Sequence, residues 1–344
     1  MAILWFCMVT FMVTVYVILD GFDLGAGAIH FFVTKNAAQR SQVIQSIGSV
    51  WDGNEVWLLA AGGTLYFAFP KLYAASFSGF YLPLMMVLWL LILRGIAIEF
   101  RNHINNVVWV PFWDVTFSAA SALLAIFFGA ALGNVVRGVP LDQDGRFFEP
   151  LWTSFRPVGE TGILDWYTVI VGVTALSALT LHGALWVAMK THDPISHRAR
   201  RVGGVMWWAT TVLTVTTTVM TLVVQPRVLI NLRAYPWGAV FPGLGVLGIM
   251  AVWRYIAKSN DRMAFVASST YLLGMMTSAA FGVYPYVLPA SIGTRYGLTL
   301  FDAAAAPYGL RVGLVWWLTG MGLVGVYFVF VYRSFSGKVK AEAE

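Results

Sequence analysis

Stretches of about 20 apolar residues recur along the whole chain with few charges inside them, and this repetition restricts the fold more than any other feature. A helix of about 20 residues crosses the hydrocarbon layer of a bilayer. Lipid cannot hydrogen-bond exposed N–H and C=O groups, so spanning segments must be helices or closed barrels, and long apolar runs without alternation rule out the barrel. The expected fold class is therefore an all-α polytopic membrane protein. Composition agrees, with 59% of 344 residues hydrophobic, 11% charged and a mean hydropathy of +0.73, far from the balance of a soluble domain.

Nine spans are expected, at 2–20, 54–69, 76–98, 113–134, 163–189, 203–223, 237–257, 263–283 and 312–333, so that residues 1–344 form a single integral membrane domain. The second is cut short by Pro70 and begins with Asp52 and Glu55, which leaves a short or partly re-entrant segment as the alternative. The first is read as a retained helix, because no basic n-region precedes it and Asp20 and Asp23 stand where a cleavage site of small residues would lie. With the N-terminus outside, the cytoplasmic side receives Lys35, Arg40, Arg94, Arg101, Lys190, Arg198, Arg200, Arg201, Arg254, Lys258, Arg262, Arg333, Lys338 and Lys340, the larger share of the 22 basic residues. An odd number of spans then puts the C-terminus in the cytoplasm. The net charge of +6 is spread over short loops rather than one soluble face, so it reads as topology and not as a nucleic-acid surface. Outer loops 135–162 and 284–311 suit ordered surface loops, and the tail KVKAEAE a frayed end. Gly21 with Gly25, and Gly129 with Gly133, are small-xxx-small pairs that permit close helix approach.

Chemistry is confined to a few polar segments. In LDGFDLGAG, Asp20 and Asp23 are three residues apart and share a helix face near the cytoplasmic end of the first span. An Asp at a helix centre in the membrane costs about 2.5–3.5 kcal/mol on insertion scales, so such groups face protein or water. A solvated helix end and a functional acid remain open for both. In WDGNEVWL, Asp52 and Glu55 share a face between Trp51 and Trp57, at the depth of an aromatic belt. That pattern fits a capping box in form, and equally a pair of carboxyls that pass protons at a membrane entrance. In RGIAIEFR, Arg94, Glu99 and Arg101 close the third span on the same side. The acids Asp20, Asp23, Asp52, Glu55 and Glu99 are thus expected to gather with Arg94 in one polar funnel, serving either proton uptake or the anchoring of helices by ion pairs.

Metal chemistry has little to work with. Cys7 is the only cysteine, which excludes a CxxC pair or thiolate cluster within this chain. Of His30, His103, His182, His192 and His197, only His182 lies well inside an expected span; it is a weak metal-ligand candidate set against hydrogen bonding within the bundle. HExxH, GxGxxG and Walker patterns are absent, so nothing here supports hydrolysis or nucleotide binding.

Taken together, LDGFDLGAG, WDGNEVWL and FPKLYAASFSGFYLPLM running into RGIAIEFR resemble subunit II of the cytochrome bd-type quinol oxidases. GNVVRGVP, YPYVLPAS and LTLFDAAA resemble later landmarks of that family, while 160–260 matches in hydropathy alone. The resemblance implies two four-helix bundles plus one peripheral helix in a prokaryotic cytoplasmic membrane. It implies a heterodimer with a larger subunit I that carries the b and d haems, accepts electrons from a membrane quinol and reduces dioxygen to water. Small accessory subunits, and a structural quinone or lipid, are compatible with it. On this reading the chain is an enzyme only as a subunit of a quinol:O2 oxidoreductase, with no complete active site and no metal of its own.

By resemblance, Asp52 aligns with the acid proposed for proton uptake. Glu55, Asp20 and Asp23 are inferred neighbours on that path, with Trp51, Gly53, Asn54, Arg94, Glu99 and Arg101 as the supporting motif. Glu55 stands where many family members have Gln, and is read either as an added titrating group or as an ion-pair partner of Arg94. The competing readings are a purely structural assembly subunit and a membrane transporter, for which paired broken helices in two halves of the chain would be expected.

Overall fold

A computed structural model describes residues 1–153, 161–291 and 296–339. Parts of the two long loops expected at 135–162 and 284–311, and the end of the tail including Lys340, lie outside the described residues. In order, the helices are α1 (Ala2–Val33), α2 (Ala37–Gly48), α3 (Trp51–Ala68), α4 (Pro70–Gly79), α5 (Tyr81–Phe100), α6 (Trp109–Arg137), α7 (Trp166–Lys190), α8 (Ile195–Val224), α9 (Arg227–Ala234), α10 (Val240–Ala257), α11 (Asp261–Val283), α12 (Leu300–Ala303) and α13 (Pro307–Ser334). A 3-10 turn, Pro236–Ala239, leads into α10, and strands β1 (Tyr286–Leu288) and β2 (Leu298–Thr299) pair antiparallel before α12.

Among the described residues eight helices are long and apolar enough to cross a membrane: α1, α5, α6, α7, α8, Pro236–Ala257, α11 and α13. Helix α3 is not one of them, because its 18 residues include Asp52, Asn54 and Glu55. Two expected spans are corrected. Helix α1 runs on to Val33 instead of ending at 20, since Asp20 and Asp23 are buried rather than solvated and give the helix no reason to stop. The expected span 76–98 is two helices, α4 and α5, broken at Phe80. Pro83 cannot donate to the Gly79 carbonyl and crowds it, so it is tolerated only in the first turn of a new helix. Pro70 separates α3 from α4 in the same way, with Phe69 forced to a non-helical φ of −135°. Helix α2, helix α9 and the β-hairpin are absent from the sequence expectation because they are short and not apolar throughout.

Helix α7 is the axis of the bundle: 72% of its most apolar window is buried, against 0% for α13. It packs on α1, α6, α8 and α11. Contact with α1 is made through Gly25 and Gly183, whose Cα atoms face each other so closely that a Cβ on either would overlap the other helix's backbone. Gly129 of α6 meets Gly172 and Ala175 of α7 likewise. Between α7 and α8 runs a seam of hydroxyls, Ser177 to Thr210 at 2.9 Å, Thr174 to Thr217 at 2.7 Å and Tyr167 to Thr221 at 2.9 Å. Small residues and interhelical hydrogen bonds are what hold helices together where lipid offers no hydrophobic drive between them.

The two ends are closed differently. At the end carrying the N-terminus, Trp5, Phe69, Leu72, Phe147, Leu288 and Leu300 form one apolar cluster beneath the hairpin and the loop after α6. At the other end α2 folds its buried Val43, Ile44 and Ile47 onto α1 and α7, and Trp186 donates from its indole nitrogen to the Ser46 carbonyl at 3.0 Å. Replacing Gly183 by Leu should destabilise the fold by about 3 kcal/mol or more, the top of the overpacking range, because the obstructing atoms are backbone. Gly204→Leu, at a position where a Cβ would meet nothing within 4 Å, should leave the melting temperature of the purified protein nearly unchanged.

Candidate functional site

The charged residues buried in this bundle form separate clusters, and the one at the junction of α1, α3 and α5 contains most of the expected acids. Arg94 is fully buried on α5. Its Nη2 donates to Asp20 Oδ1 of α1 at 2.7 Å and to Glu55 Oε2 of α3 at 2.8 Å. The side chain of Asp20 is 0% exposed and that of Glu55 is 23% exposed, so one guanidinium joins a solvent-reaching carboxylate to an interior one. Asp23, one turn along α1, is held separately: Asn54 Nδ2 donates to its Oδ2 at 2.8 Å, and Tyr332 of α13 donates to Asn54 Oδ1 at 2.9 Å. Asn54 is thus the bridge between α1, α3 and α13.

The local sequence explains the placement. Asp20 and Asp23 are separated by three residues and therefore lie on one side of α1. Asn54 and Glu55 are adjacent on α3 and so diverge, one to each Asp. Asp52 is exposed, in the first turn of α3, where its charge favours the helix N-terminus. It is not the N-cap: Val50 holds that position without a side-chain bond, so the capping box expected from Asp52 and Glu55 does not form. Trp51 lies against Gly95 of α5, and Gly53 faces Tyr327 and Phe328 of α13. Trp57 is buried against Phe11 and Phe328.

The single funnel divides at α5. Arg94 and Arg101 are two helical turns apart, about 10 Å, and they pair with different acids. Glu99 is exposed and forms no ion pair among the described residues; its backbone carbonyl faces His103 Nδ1 at 2.9 Å. Arg101 belongs to a second cluster with Asp114 of α6, to which it donates from Nε at 2.6 Å. Arg40 of α2 donates to Asp114 Oδ2 at 2.7 Å, and His30 Nε2 of α1 stands 2.9 Å from Oδ1. His30 and Asp114 are both 0% exposed. Motif and spacing assign Asp114 no role, although a lone acid within the apolar run WVPFWDVTF is a signal for an internal partner.

A third cluster lies at the opposite end. Arg137 donates to Asn134 Oδ1 at 2.7 Å and to Glu149 Oε1 at 2.6 Å, and also pairs with Asp165, the N-cap of α7. Burial pushes the Glu149 carboxyl above the ordinary range, opposed by the neighbouring Arg137 charge. This cluster ties the loop after α6 to the start of α7.

None of these residues fits a metal site. His182 has both ring nitrogens engaged, Nε2 with the Ile18 carbonyl at 2.9 Å and Nδ1 with Ser268 Oγ at 2.7 Å, and its ring stacks on Phe265 at 4.6 Å. Its ring is a hydrogen-bonded link between α1, α7 and α11. Among the described residues no group of three or more His, Cys, Asp and Glu could hold a metal ion.

Comparison with known proteins matches this geometry to a family. Residues 1–335 match the family described as Cytochrome bd terminal oxidase subunit II. The cytochrome bd-I ubiquinol oxidase subunit 2 of Escherichia coli is 27% identical over 96% of this chain and 92% of that protein. The cytochrome bd ubiquinol oxidase subunit 2 of Bacillus subtilis is 28% identical over 90% and 88%. The bd oxidase from Geobacillus thermodenitrificans contains a chain of the same fold, with a TM-score of 0.76, 16% identity and coverage of 97% and 98%. Apolar spanning helices together with these bacterial relatives make this a multi-pass protein of a prokaryotic cytoplasmic membrane. The chain belongs to the cytochrome bd terminal oxidase subunit II family, as an accessory subunit of a bd-type oxidoreductase complex.

Proposed function

We propose that this chain scaffolds a haem-bearing subunit I, in a heterodimer that oxidises membrane quinol and reduces dioxygen, and that its cytoplasmic acids form part of the path by which protons reach that subunit. The E. coli and B. subtilis relatives are named as ubiquinol oxidase subunits, which supports quinol as the reductant. The topology that goes with this reading counts α3 as a ninth span, in two four-helix bundles plus a peripheral helix, with the N-terminus outside and the C-terminus in the cytoplasm.

The observation that carries the proton path is a gradient of burial, with Asp52 in solvent one helical turn before half-buried Glu55, and Glu55 joined through one Arg94 nitrogen to fully buried Asp20. Four buried atoms in the same region, Asp20 Oδ2, Asp23 Oδ1, Arg94 Nε and Arg94 Nη1, have no hydrogen-bond partner of their own among the described residues. Buried polar groups are ordinarily satisfied, and internal water with two to four hydrogen bonds is the usual means. Water between carboxylates is also the medium through which a proton moves. Drawing protons from the cytoplasm conserves energy, because each elementary charge moved across the membrane is worth about 2.3 kcal/mol per 100 mV.

A structural reading also has an observation in its favour, since the Asp20–Arg94–Glu55 group joins three helices. The two readings part at the solvent end. Asp52→Asn, at an exposed position, should lower quinol-driven oxygen consumption about a hundredfold with haem content per complex unchanged; undiminished turnover would leave only the structural role. Arg94→Gln strands buried Asp20 and should cost about 3–5 kcal/mol, read as a lower yield of assembled complex. Pairing it with Asp20→Asn should recover part of that yield, because the stranded charge is then gone.

A further inference from the structure

The bundle end that carries the N-terminus has a groove that none of the roles above uses. It is an open cavity of about 380 Å³ between one side of α4 and the turn at 142–146. Helix α4 lines it with Lys71, Ala74, Ala75 and Ser78, positions that follow one another on a single helix face. The turn lines it with Asp144 and Arg146. That turn is rigidly built: Asp142 Oδ1 accepts from the backbone N–H of Asp144 at 2.9 Å and of Arg146 at 2.8 Å, and Gly145 takes a φ of +72°. Phe147 anchors it, seated against Gly79 and edge-on to Phe80 at 4.9 Å.

Two observations point to an occupant. The first is charge: Lys71 and Arg146 enter no ion pair among the described residues, so two cations and one carboxylate face the groove unpaired. The second is depth. Helix α4 joins the end of α3 to the spanning helix α5, and on a different face of α4 from the groove Tyr73 and Phe77 stack at 4.0 Å between centroids, with Tyr66 of α3 edge-on to Tyr73 at 5.0 Å and Tyr66 62% and Phe77 41% exposed. Exposed aromatic rings of this kind mark the headgroup level of a bilayer. A phosphate prefers charge-assisted bonds from Lys and Arg, and a carboxylate beside it suits a hydrogen-bond donor.

We propose that this groove holds the phosphate-bearing headgroup of a membrane phospholipid, with Lys71 and Arg146 on the phosphodiester and Asp144 receiving the ammonium or hydroxyl end. With the N-terminus outside, as in the topology above, the lipid belongs to the outer leaflet. An amine-bearing headgroup satisfies all three charged side chains, whereas a glycerol headgroup meets Asp144 with neutral hydroxyls.

The test uses the whole oxidase, purified in mild detergent and stripped of lipid, as wild type, Lys71→Ala with Arg146→Ala, and Asp144→Asn. Native mass spectrometry follows separate titrations with dioleoyl phosphatidylethanolamine, dioleoyl phosphatidylglycerol and inorganic phosphate. The wild type should bind one phospholipid that the double variant binds about tenfold more weakly, a loss of about 1.4 kcal/mol. Asp144→Asn should narrow the preference for phosphatidylethanolamine over phosphatidylglycerol. Equal lipid binding by wild type and double variant, with equal haem content, would overturn the proposal. So would displacement of the lipid by millimolar phosphate, which would make the groove a free-anion site. A third contrary result is a double variant that loses haem content while lipid binding stays the same, since the groove would then dock the partner subunit.

Discussion

A guanidinium with no access to water has to find its counter-charges inside the protein, and the placement of Arg94 governs the geometry around it. Asp20 and Glu55 reach it from two other helices, so α1, α3 and α5 can meet in only one register. Breaking such a pair costs far more than its formation gains, because the surviving charge stays buried. The constraint also reaches Asp23, which accepts from Asn54 and through it is joined to Tyr332 of α13. A chain of hydrogen bonds thus fixes the most exposed helix of the bundle, one whose apolar window has none of its residues buried.

The other two charged clusters apply the same physics at the two ends. Asp114 draws α2, α5 and α6 together against His30 of α1, and Arg137 binds the loop after α6 to the start of α7. Between them the bundle relies on contact rather than charge, with glycine against glycine along α1 and α7 and hydroxyl against hydroxyl along α7 and α8. The division is reasonable for a protein in lipid. Charge is cheapest near the headgroups, and close packing of small residues is the force still available at the centre.

This arrangement suits an accessory subunit. The histidine deepest in the bundle is committed to Ser268 and a backbone carbonyl, and the remaining buried histidine, His30, holds a carboxylate. What the chain has in quantity is carboxylate linked from surface to interior, along with broad apolar faces on α8, α10 and α13. Those features accord with an accessory subunit of a bd-type oxidoreductase complex.

Much of this is written in local sequence. Runs of apolar residues determine that the chain is a helical membrane protein, and WDGNEVWL with LDGFDLGAG and RGIAIEFR determines its family, because both signals are carried by neighbouring residues. Membership of the charged clusters is not, since it depends on which faces of distant helices meet. Arg94 and Arg101 look equivalent in RGIAIEFR, yet two turns of helix send one to Asp20 and the other to Asp114. Glu99, between them, points outward, and Asp52 stays in water while Glu55 goes in. Periodicity tells which residues share a helix face, but only packing in three dimensions decides what that face touches, and for a buried charge the partner is what sets its role.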